Sequence, residues 1–312
     1  MRRIIAICVP ILAMFATVFA SSAQARTQDL CTWTQSFLPL PVGVTGGSVQ
    51  AAGPNGYLAG QATDGTLLLW HNGEVVPINA PVSSSIRVSA VNGSGTIVGW
   101  DGRSDVPFVY RDGTFQNLSV PAGSSTFASA VNETGDIVGT TFAYATDYRS
   151  VVWKLGNPGS YQIVANDVAV GIDDVGNVVT EKGLVWSPNG TTSRLPSSPD
   201  LVVQIFQRGY ALGHDFTDDN GLRVWDATGT VVHRFELARH TPIGINSQGQ
   251  LAAWYTPEGS TVTTLGVWRG ETFVGNVPGR PLVHAVAETG ELVGLAWPAG
   301  ATKSAPATWT CS

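Results

Sequence analysis

The stretch SAVNGSGTIVGW, residues 89–100, returns as SAVNETGDIVGT, residues 129–140. A chain that writes one strand, turn and strand twice is built from repeated supersecondary units, which bury their apolar faces only against one another. In the first copy, Ala90 and Val91 read as a short apolar strand, Asn92 to Gly95 as a turn, and Ile97, Val98 and Gly99 as a second strand. Asparagine bonds its own backbone at turns and glycine supplies positive φ, so this reads as a hairpin. A second hairpin, PFVYRDGTFQNL at 107–118, follows it. Each unit therefore holds four short strands.

Two independent tallies count the units. The second strand recurs as YLAG, TIVG, DIVG, YALG and ELVG, ending at Gly60, Gly99, Gly139, Gly213 and Gly294, with weaker copies ending at Thr180 and Ala253. The third strand ends in an aromatic ring at Trp70, Tyr110, Trp153, Trp186, Trp225, Trp268 and Trp309, with spacings of 33 to 43 residues. Both tallies give seven. Four strands per unit of about forty residues, with an aromatic at a fixed place, is the signature of a β-propeller. An open solenoid would need polar capping repeats. Helical folds are disfavoured by the 36 glycines and the lack of a 3.6-residue apolar period. The expectation is an all-β, seven-bladed propeller, with blades near 47–80, 87–121, 127–165, 166–198, 202–239, 240–280 and 281–312 plus 31–41. The aromatic column is expected to pack between neighbouring blades.

The first 25 residues carry two arginines, an apolar run from Ile4 to Ala20 and a closing Ala23-Gln24-Ala25. This is the pattern of a secretory signal peptide. Losing Arg2 and Arg3 leaves 15 basic residues against 23 acidic ones, a net charge of −8. Such a surface repels phosphate backbones and lacks a polybasic lipid anchor, so neither nucleic acid nor membrane insertion is expected. A secreted monomer is.

Cys8 leaves with the leader, and Cys31 and Cys311 remain at the two ends of the mature chain. In an exported protein such thiols pair; a metal site or two free thiols are the alternatives, and two cysteines are too few for structural zinc. The seventh unit explains why the ends should meet. Its first three strands lie within 284–310, and the chain then stops. The missing fourth strand can come from SFLPLP, 36–41, which is similar to FQNLSVP at 115–121.

The pattern A-V-N-x-x-G-x-I-V-G, followed by an apolar-aromatic strand and x-D-G, resembles the secreted HAF-repeat proteins, best over 87–121 and 127–153. The resemblance implies an extracellular propeller-like array and no particular activity. The fourth unit is short, and the fifth lacks the A-V-N turn.

In a four-stranded blade the loop after strand two and the crossover after strand four share one face, and the tight turns occupy the other. The loop-rich face should carry Trp100, Tyr144, Tyr148, Trp254, Tyr255 and Trp297, with His240, His284, Arg87 and Arg208 from crossovers, as a small-molecule or glycan pocket. Asp101, Asp147, Glu181, Asp215 or His214 would be the acid or base if there is catalysis, with His214 and Asp215 as a pair. Asp215, Asp218 and Asp219 lack the spacing of a calcium loop, and neither metal nor cofactor is expected. No recognised catalytic motif occurs. The first reading is a binder without turnover. The second is a lyase or cyclase, comparable at the level of fold alone to strictosidine-synthase-like and Pictet–Spengler-type enzymes. The third is a protein-interaction scaffold.

Overall fold

A computed structural model describes residues 31–144, 146–196, 200–216, 221–235, 241–279 and 281–312. The proposed leader, His240, Asp218 and Asp219 lie outside these. The described residues form 28 strands and no helix, arranged as seven four-stranded antiparallel meanders. Six blades take their strands in chain order, within 47–75, 86–117, 125–165, 169–194, 201–235 and 241–276. The innermost strands are Gly47–Ala52, Ile86–Val91, Ser125–Val131, Ala169–Ile172, Leu201–Gln207, Thr241–Ile245 and Leu282–Val286. Each touches the next, and the seventh touches the first. The ring is closed.

The seventh blade is completed from the far end of the chain. Leu282–Val286, Leu292–Ala296 and Ala305–Cys311 pair in order, and Trp33–Phe37 adds antiparallel to the last, with Trp33 opposite Cys311 and Phe37 opposite Ala307. Cys31 and Cys311 are disulfide-bonded. The added strand starts three residues before the expected segment, because Thr32 and Ser312 exchange backbone hydrogen bonds beside the disulfide. It ends early because Pro39 has no N–H to donate. The alignment itself holds: the Leu38 N–H bonds to the Pro306 carbonyl as the Leu118 N–H does to that of Pro107.

The described residues form seven apolar clusters, and each straddles two neighbouring blades. The aromatic column sits in them, each ring packing against the preceding blade. Trp70, Trp153 and Trp225 are fully buried. Their indole N–H groups find partners in that blade: Trp70 donates to Pro39 O at 2.7 Å, Trp153 to Ser119 O at 2.8 Å and Trp225 to Pro196 O at 3.2 Å. A buried indole with an unpaired N–H would be costly. The wedge between blades is thus filled and satisfied together.

The A-V-N asparagine has two tasks. The Asn92 carboxamide oxygen accepts from the backbone of Ser94 and Thr96, which makes the turn. Its nitrogen donates to Asn132 O of the next blade; Asn132 donates to Asp173 O and Asn246 to Ala287 O in the same way. The repeated asparagine is thus a rung between neighbouring blades at three junctions on one face of the ring.

Candidate channel site

A β-bulge interrupts the innermost strand of every blade, at Gln50, Ser89, Ser129, Val170, Gln204, Ile243 and His284. A bulge re-aims the side chain it carries. All but Ile243 line a central cavity of about 580 Å³. The rest of the lining comes largely from the turn-side ends of the inner strands and from turns, including Asn132, Asp173, Asp174, Arg208 and Ser247. Among the described residues, this cavity lies toward the tight turns rather than at the loop-rich face.

The polarity of two neighbouring ring members is fixed by the blade beside each. Gln50 Oε1 accepts the Val88 N–H at 3.0 Å, which leaves its NH₂ group to donate. His284 Nδ1 lies 2.7 Å from Val49 O. A carbonyl only accepts, so Nδ1 carries the proton and, in the neutral ring, Nε2 presents a lone pair. His284 is exposed into the cavity. At the turn-side mouth, burial pushes the Glu133 carboxyl above its ordinary range, against the opposing pull of the Gly93 N–H and the Arg208 charge.

Of the described residues expected from sequence to form a site, His284 and Arg208 line this cavity, His284 from an inner strand and Arg208 from the turn after one. Trp100 lies at the loop-rich end of a chain of ring contacts through Phe127 and Phe142 to Tyr148. Tyr144 and Trp297 are exposed and Trp254 is half-buried. Tyr255 is buried between blades, its hydroxyl donating to Asn276 Oδ1 at 2.9 Å and its ring edge-on to Trp268. His214 and Asp215 are consecutive on the strand Tyr210–Asp215, so they point to opposite sides of the sheet, and both are buried. Asp215 is ion-paired to the buried Arg223. Asp101 is held below the usual carboxylate range, chiefly by the Ser85 hydroxyl at 2.7 Å. Asp147 pairs with Arg149 at 2.8 Å beside a second cavity of about 100 Å³. Glu181 is half-buried after its strand, its backbone bonded to Val168 and Val203.

Arg208 is a correction. It was expected in a crossover, but it occupies the turn after the inner strand Leu201–Gln207 and so lies on the opposite face. Without an A-V-N motif the fifth inner strand had no marker, which displaced its turn. Gln50, Ser129 and Gln204 were not singled out at all.

By fold, the chain is similar to a streptogramin B lyase structure, with a TM-score of 0.59 and 12% identity over 91% of this chain and 99% of that one. It is also similar to virginiamycin B lyase from Staphylococcus aureus, with a TM-score of 0.56 and 12% identity over 90% and 99%. At such identity the likeness shows the seven-bladed propeller. No protein-family model matches the chain, and no curated protein is similar to it in sequence.

Proposed function

We propose that this is an exported, HAF-repeat-like propeller that binds a small molecule or glycan in its central channel. The observation that carries the reading is the channel cavity, whose volume falls within the range of ligand sites, roughly 300 to 1,000 Å³. Its lining suits a neutral ligand with one group to donate and one to accept: His284 Nε2 accepts and the Gln50 amide donates, with Val170 and Ile205 as apolar contacts. Export is supported by the leader pattern and by the disulfide, which belongs to oxidising compartments.

Native mass spectrometry of the purified protein in extracts of spent culture medium tests this. A Ser89→Trp variant, with the channel filled at the bulge ring, serves as the reference. Binding is expected as discrete added masses on the wild type that are absent from the variant. Added masses shared by both would move the site out of the channel. A second reading, a lyase, is supported by the activity named for both structural neighbours and by the lone pair on His284. It expects the same experiment to show the bound mass converted with time.

A further inference from the structure

In the fifth blade the turn after the inner strand is Gln207-Arg208-Gly209. Arg208 adopts φ 53°, a left-handed conformation that costs a long side chain energy and persists only where its surroundings demand it. From this turn the guanidinium reaches three other blades. Nε donates to Glu288 of the seventh, Nη2 donates to the Ala52 carbonyl of the first at 3.4 Å, and Nη1 lies 3.7 Å from Glu133 of the third. The third and seventh blades stand two places to either side of the fifth, and the first is nearly opposite. One side chain can touch all three only near the axis of the ring. The guanidinium therefore sits across the turn-side mouth of the cavity that Arg208 helps to line.

The two carboxylates are themselves anchored. Glu133 accepts the Gly93 N–H at 2.9 Å, and Glu288 accepts the Ser247 N–H at 3.1 Å. Both come from the Asn/Ala-Glu-Thr-Gly turns of their blades, so three turns that differ in sequence converge on one point.

We propose that Arg208, Glu133 and Glu288 form a clasp that controls entry to the channel cavity. Closed, it bars the axis; broken, it lets the arginine swing to its own rim. The three side chains retain 22 to 32% of their exposure, a setting in which ion pairs are weak and salt-sensitive, as a reversible closure requires. The inference does not depend on what the cavity binds.

The test uses the full chain in a Cys8→Ser background, where Cys31 and Cys311 are disulfide-bonded and Gln204→Cys supplies the free thiol. Gln204 faces the cavity from the same strand as the turn of Arg208. Labelling is timed with fluorescein maleimide, which is bulky, and with iodoacetamide, which is small. Arg208→Ala is expected to raise the bulky rate about tenfold, equivalent to about 1.4 kcal/mol of closure, and the small rate much less. Should that variant not fold, Glu133→Gln with Glu288→Gln removes both anchors, keeps the arginine and is expected to act alike. A bulky rate unchanged by loss of the arginine, or by loss of both anchors, overturns the proposal.

Discussion

At Asn132 a single carboxamide joins the local and the global levels of the fold. Its oxygen accepts from the Asp136 N–H at 2.8 Å and from the Thr134 hydroxyl at 2.9 Å, while its nitrogen donates to Asp173 O at 2.8 Å in the next blade. The residue is 3% exposed, so none of these partners is easily replaced by water. Asn189 closes a similar turn on Thr191, but in the open and, among the described residues, with no bond to another blade. Replacing Asn132 by alanine is expected to cost about 2 to 4 kcal/mol, from three lost bonds worth roughly 1 kcal/mol each and the Asp136 N–H left without its acceptor. Asn189→Ala should cost less than about 1 kcal/mol. Chemical denaturation of the two variants side by side reads the difference. Equal losses would reduce the repeated asparagine to a turn residue with no part in joining the blades. The sequence displayed this residue clearly, since it recurs at a fixed place; its second task stayed hidden, because the bonded carbonyl lies in another unit.

The second strand of a blade shows what the repeated glycine is for. A Cβ built on Gly139 would lie 2.2 Å from Phe127 O of the inner strand, and one on Gly60, Gly99 or Gly294 would meet the equivalent carbonyl at 1.9 to 2.0 Å. These are close approaches of backbone, not special φ values, and they occur just before the bulge in each inner strand. Gly139→Ala is accordingly expected to destabilise by at least about 2 kcal/mol, the scale of overpacking against an unyielding neighbour. The reverse change at the sixth blade, Ala253→Gly, should cost little beyond chain entropy, because that bulge already tolerates a methyl group. Melting temperatures of both variants check this, and a neutral Gly139→Ala would mean that the inner strand can retreat. The period of the glycines was plain in the sequence, but the bulge was not. A bulge is a mismatch of register between two strands, and no single strand records it. The ring residues Gln50, Ser129, Val170, Gln204 and His284 share no composition either, so the channel lining left no pattern to find. Aromatics such as Trp100 and Tyr148 drew attention instead because rings are conspicuous in a sequence, and both turn out to be strand residues.

Whether seven sheets stand as a ring or spread as an arc is decided where the two ends of the chain meet. Unit count, aromatic spacing and the missing fourth strand together made that closure readable, since a blade short of one strand must borrow it. Two devices hold the joint: the pairing of Trp33–Phe37 with Ala305–Cys311, and the disulfide across 280 residues of sequence. They act on different states. Strand pairing is a native interaction, whereas the disulfide acts mainly by restricting the unfolded chain, by roughly 5 kcal/mol at most for so long a loop. Cys31→Ser with Cys311→Ser should therefore fold to the same ring, with near-native circular dichroism, yet unfold at lower denaturant. Deleting residues 1–41 should do worse. It strips the outer strand from the last blade, leaves a bare edge on Ala305–Cys311, and removes the Pro39 carbonyl that satisfies Trp70 in the first. That protein is expected to aggregate on expression, and size-exclusion chromatography distinguishes it from the monodisperse double serine variant. If the truncated chain stayed monodisperse and stable, the ring would hold by its blade interfaces alone, and the shared seventh sheet would be dispensable.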